Sequence, residues 1–251
     1  MRMQLKVLYI LVFTALFASV GLEKIAYSGL VMEQVDYQQG DSNKQSVTIY
    51  LQNNKSKQIQ NGGPFPPTVI MDLNSGDIMY VNHEKKLYIF LNREEYLKYM
   101  GSVMSENKTD TDVSRKVTLK KTDESASIAG YNSKKYEIYE NGKLQSEYWV
   151  SNDPIFYQEI DLDKMSKLMS DLKGMSQNVG GSASISDDEY KIFKEINEGG
   201  YTMKAVYHSP DSDKVFVVEI VSVKKQDIPQ SEFQPPVGYE KITYQDILKQ
   251  Q

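Results

Sequence analysis

The chain contains no cysteine. That excludes disulfides, thiolate nucleophiles and thiolate metal ligands, and it excludes a lipidated export signal, which needs a cysteine at the new N-terminus. Histidine occurs only twice, as His83 in a turn and His208 at a strand end. A zinc centre needs three or four converging ligands, and neither histidine has neighbours at ligand spacing, so both read as surface polar residues. Arginine occurs three times, as Arg2, Arg93 and Arg115, in a chain of formal charge -5. A phosphate-tracking surface wants clustered basic residues and arginine forks, so the composition argues against nucleic acid as a partner. No serine stands in a Gly-x-Ser-x-Gly elbow. Gly62-Gly63 runs into prolines rather than the Lys-Ser/Thr of a phosphate cradle. Asp187-Asp188-Glu189 is the acidic first turn expected of a helix rather than a calcium loop. Nothing singles out a carboxylate pair among the 34 acidic residues. We expect no catalytic residues, no metal ligands and no cofactor.

Long apolar runs are equally scarce, and the exception is informative. Met1 to Lys6 is short and basic, Val7 to Leu22 is almost free of polar residues, and Glu23-Lys24 ends the run. A basic start followed by an apolar stretch shorter than the ~20 residues of a spanning helix predicts a removable export signal over residues 1–21, the alternative being an uncleaved membrane anchor. Ser19-Val20-Gly21 offers small residues for the cut. Removing Arg2 and Lys6 leaves 27 basic against 34 acidic side chains. The expected product, residues 22–251, is a periplasmic or secreted protein. Its length suits one large β domain, and no internal repeat or break divides it.

What is abundant is strand chemistry. The chain carries 18 tyrosines, and tyrosine and the β-branched residues favour strands. Two β-rich runs flank Asn141-Gly142, the strongest short hairpin signal. A three-residue loop Glu140-Asn141-Gly142 with Gly142 left-handed sets Ile138 opposite Leu144 and Lys135 opposite Glu147. A two-residue loop sets Ile138 against Gln145 and Lys135 against Tyr148. Cross-strand pairing contributes up to ~1 kcal/mol per pair and favours the former. Further strands are expected over 28–38, 45–52, 55–60, 68–73, 77–81, 86–91, 115–122, 201–208 and 214–223, with a polar surface loop at 105–114 and a short helical end after Tyr239.

Three amphipathic helices interrupt the strands. Asn92 and Glu95 form a capping box, with Leu91 stapled to Tyr96 and Leu97, Met100, Val103 and Met104 on the buried face. Met165, Leu168, Met169 and Leu172 recur at helical spacing in a second helix. A Ser186–Glu189 box opens a third, lined by Tyr190, Phe193 and Ile196 and stopped by Gly199-Gly200. Methionine side chains suit apolar surfaces that repack, so Met100, Met104, Met165, Leu168, Met169 and Leu172 are the candidate ligand-binding residues. Gly174 and Gly180-Gly181 give the second helix hinge-like freedom and make it a candidate lid.

The run Ile128-Ala129-Gly130-Tyr131, then Lys135-Tyr136, Trp149-Val150-Ser151 and Pro236-Val237-Gly238-Tyr239, resembles a family of uncharacterised exported bacterial proteins. Asp72-Leu73-Asn74-Ser75-Gly76 and Lys86-Leu87-Tyr88 resemble its middle hairpin. That family is grouped with the LolA/LolB/LppX-like lipoprotein and lipid carriers, and the likeness spans roughly residues 28 to 242. One departure is that relatives commonly carry an arginine in the third strand, where this chain has Lys55, Lys57 and Gln58. The resemblance implies an α+β, mainly β fold: a curved antiparallel half-barrel sheet, open along one side, with about three amphipathic helices on its concave face. It implies a hydrophobic ligand or lipoprotein as partner, and no catalysis. Two functions are then expected to compete. One is a non-catalytic carrier or chaperone holding a lipid or acyl chain between sheet and helices, with peripheral or transient membrane contact. The other is an envelope structural or protein-interaction module with a filled core.

Overall fold

The computed structural model describes residues 29–61, 68–106, 116–178, 186–209 and 212–243, with backbone alone for 102–106 and 175–178. The expected export signal, the Gly180-Gly181 link and most of the helical end expected after Tyr239 lie outside them, and residues 240–242 of that end form a strand instead. Six strands open the chain: β1 Leu30–Gln38, β2 Gln45–Gln52, β3 Lys55–Asn61, β4 Thr68–Asp72, β5 Asp77–Asn82 and β6 Leu87–Leu91. Helix α1 (Arg93–Glu106) follows, then β7 (Val117–Ile128), β8 (Tyr131–Glu140) and β9 (Lys143–Ser151). Helices α2 (Pro154–Glu159), α3 (Leu162–Asn178) and α4 (Asp187–Gly199) precede β10 (Tyr201–His208) and β11 (Val215–Lys225). A 3-10 turn at Gln230–Phe233 and a short β12 (Glu240–Ile242) complete it. All twelve strands form one sheet in the order β12-β6-β5-β4-β3-β2-β1-β11-β10-β9-β8-β7. Every pair is antiparallel except β12–β6. β1 and β11 join in the middle, while β12 and β7 stay apart at the ends, so the sheet curves without closing.

The two faces are dressed differently. Residues paired across strands share a face, so Leu30, Leu51, Met32, Ile49, Ile220, Ile78 and Leu91 line the concave side in one buried cluster. Helix α1 packs over β5 and β6, α4 over β7, β9 and β10, and α3 lies against both helices. The capping boxes are made as expected. Asn92 Oδ1 accepts from Glu95 N at 3.0 Å while Asn92 N donates to Glu95 Oε2, and Ser186 and Glu189 repeat the exchange. On α4 the buried residues are Ile192 and Ile196, with Tyr190 and Phe193 half-buried beside them.

Three features were not expected. Asp153 Oδ1 accepts from Ile155 N at 3.0 Å and caps α2, whose Phe156 stacks on Tyr201 at 4.9 Å. The chain after β11 crosses the convex face of β3–β6 as a strap. Ile228 and Phe233 bury against Ile70, Met79 and Val81, and Lys57 Nζ meets Glu232 at 2.6 Å. His83, exposed as expected, bridges Thr68 Oγ1 at 2.8 Å and Tyr239 Oη at 2.9 Å and so fastens the strap. The third concerns the central hairpin, where the expected register is wrong. Asn141 (φ 50°) and Gly142 (φ 80°) alone make the turn, with Glu140 opposite Lys143 and Tyr139 opposite Leu144. Two left-handed central residues give a turn whose twist matches the strands. Gln145 then bulges, and beyond it Ile138 pairs with Ser146 and Lys135 with Trp149.

Candidate functional site

The concave face between α1 and α3 is the candidate site. Its floor comes from alternating positions of β2 to β6, and the register places Ile49, Gln58, Val69 and Tyr80 in one row across β2, β3, β4 and β5. Ile49 is buried, but Val69 and Tyr80 are half-buried and Gln58 is exposed. Solvent therefore reaches the floor at β3, beside apolar side chains that belong to the main core. Ile89 and Tyr99 are half-buried in the same cluster. Burial pushes the Tyr80 phenol up, with Tyr96 and Tyr99 adding to it, so that ring stays neutral near pH 7.

The six residues singled out by helical spacing divide into two kinds. Leu168 and Leu172 are 5% exposed and belong to the core proper. Met100 on α1 and Met165 and Met169 on α3 are half-buried and pack against that same core. The side chain of Met104 lies outside the described residues. The fold thus brings the described five into one apolar cluster where the two helices meet. Gly174 lies inside α3 rather than at its end.

The start of α3 is held by two turns. The turn between β2 and β3 uses Asn53 (φ 51°) and Asn54 (φ 64°), and Asn54 Oδ1 accepts from Asp161 N at 2.6 Å. Lys164 Nζ donates to Asn74 Oδ1 at 2.5 Å in the turn between β4 and β5. Arg93 pairs with Asp171 across α1 and α3, and Lys173 with Asp187 across α3 and α4. Among the described residues no helix is long and apolar enough to cross a membrane.

Two polar features lie elsewhere. A cleft of about 500 Å³ between α4 and β7–β8 is lined by Lys121, Tyr136, Lys191, Lys194, Glu195 and Glu198, with Gly199 at its edge. Lys121 and Glu195 pair there at 2.7 Å. On the convex side of β8–β10, Lys135 Nζ sits 2.7 Å from Glu147, 3.1 Å from Glu137 and 3.5 Å from Glu124. His208 Nε2 lies 3.0 Å from Glu147 Oε1, so this histidine too is part of the packing. Hydrogen bonds from Lys120 and Tyr139, joined by Lys135, hold the Glu137 carboxyl down at about 2.

No curated protein matches this sequence. Solved structures match it only at low identity. An uncharacterized conserved protein from Thermus thermophilus is 6% identical with a TM-score of 0.45, over 88% of this chain and 94% of that one. The Pseudomonas aeruginosa MucA/MucB complex gives 7% and 0.43, over 86% of this chain and 58% of the matched one. A putative outer membrane lipoprotein-sorting protein domain from Vibrio parahaemolyticus gives 7% and 0.29, over 90% and 93%. One family model, by contrast, matches residues 30–239, and by that match the chain belongs to the family described as a domain of unknown function, DUF4412.

Proposed function

We propose that this protein is an exported, non-catalytic, single-domain carrier or chaperone that shelters a lipid or acyl chain between the concave face and helices α1 and α3. The observation that carries this reading is the half-buried apolar lining around an exposed floor residue. Val69, Tyr80, Met100 and Met169 are incompletely covered while Gln58, in register with Ile49 and Val69, meets solvent. An interior packed to ordinary density has no such access, whereas a ligand site needs apolar walls that water can vacate. Half-buried methionines supply a lining that adapts to chains of different shape. Helix α3 acts as the lid. Its first turn is tied to Asn54 and Asn74, and opening would break the Arg93–Asp171 and Lys173–Asp187 pairs that hold its far half. Export is supported by the basic and apolar start of the chain.

The burial of Leu168 and Leu172 favours a second reading, in which the same surface is the filled core of a structural or protein-binding module. Titration with an environment-sensitive fluorescent fatty acid separates the two. A carrier gives saturable uptake by the mature chain. Met169→Lys, at a half-buried position, then weakens uptake roughly tenfold while the melting temperature holds, because a charge is set against the apolar ligand. A wild-type chain that takes up no probe overturns the carrier reading. A Met169→Lys variant that unfolds supports the filled core.

A further inference from the structure

The concave face carries a second patch at the hairpin end of β10 and β11. Tyr207 and Phe216 pair directly across these strands and are 41% and 45% exposed. The Tyr207 ring meets Tyr148 of β9 edge-on, with centroids 6.0 Å apart and planes at 88°. Tyr148 packs with Ile192 and Ile196 of α4, which fixes the side of the sheet to which these rings belong. The next strand, β1, places Asp36 opposite Val218 and Gln38 opposite Phe216, on the same face. Three aromatic rings and a carboxylate thus stand side by side on four adjacent strands.

The carboxylate is unusually placed. Asp36 is half-buried, Gln34 Nε2 donates to it at 2.8 Å, and among the described residues no lysine, arginine or histidine forms an ion pair with it. Burial raises its carboxyl above its ordinary value, against the lowering effect of the Gln34 hydrogen bond, and the Tyr207 phenol is pushed up by burial first, then by Tyr148 and by Asp36. Further along the same face the strip reaches Ala205, Met203 and Ile220, which are 3%, 0% and 3% exposed and lie under the helices, so an alkyl chain enters there only as those helices move aside. One end of the strip is therefore aromatic and anionic, and the other is apolar.

The geometry points to Tyr148, Tyr207, Phe216 and Asp36 as a head-group subsite for an amphiphile bearing an ammonium group, whose alkyl chain follows the strip into the groove. Ring faces carry negative quadrupole density that attracts ammonium ions, and quaternary ammonium ligands are recognised by aromatic clusters of this kind. Asp36 supplies the opposite charge and repels a carboxylate or sulfate head. A neutral head gains from neither. This inference rests on the carrier reading, because the chain must have an apolar groove to enter.

Calorimetric titration of the mature chain with three octyl amphiphiles, all below their aggregation thresholds, tests it. Octyltrimethylammonium should bind roughly tenfold more tightly than octanol, and octyl sulfate should bind most weakly. Asp36→Asn should remove the preference and leave octanol binding unchanged. Phe216→Ser, at an exposed position, should weaken the ammonium compound by a factor of about three to five. Equal affinity for all three amphiphiles, or a preference that survives Asp36→Asn, overturns the head-group assignment while the carrier reading stands. If none of the three binds, the carrier reading fails as well. Tetramethylammonium or a lysine peptide binding as tightly as the octyl compound overturns the assignment too, since the chain would then contribute nothing.

Discussion

Replacing Lys135 by methionine keeps an unbranched side chain beside Trp149 and removes the cation shared by Glu137 and Glu147. Those two carboxylates stand directly opposite each other on β8 and β9, with side chains 9% and 17% exposed, and Lys135 itself is 12% exposed. Truncating one partner of a fully buried pair costs about 3–5 kcal/mol. Lys120 at 2.9 Å and His208 at 3.0 Å remain as partial compensation, and the Lys120 side is open to solvent screening. We therefore expect a loss of about 2 kcal/mol, or about 4–8 °C in melting temperature for a chain of this size. The pH dependence distinguishes charge from packing. Glu137 is held at about 2 in the fold, so its contribution is present above the ordinary glutamate range and is lost as pH falls towards that value. In the variant the opposed carboxylates repel each other and take up protons more readily, which relieves the strain in acid. Melts followed by circular dichroism should show the full deficit near pH 7 and a clearly smaller one near pH 4. An equal deficit at both would mean that lost packing of the lysine stem, not charge, is responsible. No deficit at either would mean that the network is screened like any surface charge.

Two further substitutions follow from the same geometry. Gly142→Val should cost about 1 kcal/mol or more, because φ is 80° there and no atom lies within 4 Å of an added Cβ to repay the strain; an unchanged melting midpoint would show that the left-handed turn is not needed. Phe233→Ala should cost about 3 kcal/mol by emptying the contact between the strap and Ile70, Met79 and Val81; a urea midpoint equal to that of the wild type would show that the strap is not part of the cooperative unit.

Local chemistry was legible in the sequence and long-range assembly largely was not. The boxes Asn92–Glu95 and Ser186–Glu189 could be read because a cap involves residues three apart, and both form as read. β2 and β10 begin and end where their composition changes. The central hairpin misleads because a Lys135–Glu147 attraction is satisfied from a diagonal position as well as from a directly opposed one. That ion pair does form, at 2.7 Å, but between diagonal neighbours. A lysine spans the ~7–8 Å of a diagonal pair, so an ion pair alone does not set a register, and nothing marks Gln145 as a bulge. The strap was missed although a signal was present. β4, β5 and β6 read as continuous apolar runs, Thr-Val-Ile-Met, Ile-Met-Tyr-Val and Leu-Tyr-Ile-Phe-Leu, rather than alternating ones. Continuous runs mean strands covered on both faces, so something other than the helices had to lie over the convex side. The patch of Tyr148, Tyr207, Phe216 and Asp36 could not have been found, since its residues come from four strands brought together by the β9–β10, β10–β11 and β1–β11 pairings.

Half-buried apolar side chains lie on both faces of the sheet. On the convex side, the strap covers Val81 fully, while Val31, Tyr50, Tyr88 and Phe90 stay half-buried around it. On the concave side, the chain has helices enough to cover the sheet, yet Val69, Tyr80, Met100, Met165 and Met169 stay half-buried and Tyr207 and Phe216 stay exposed. At roughly 25 cal/mol per Å² of apolar surface, leaving that area uncovered gives up stability that a few larger side chains on α1 or α3 would recover. On the carrier reading proposed above, that uncovered area is where an apolar guest would be received. It follows that substitutions should sort by face. Changes on the convex side, at Lys135 or Phe233, lower the melting temperature whatever is bound. Changes at Met169, Asp36 or Phe216 alter ligand affinity and leave the unliganded melting temperature nearly fixed.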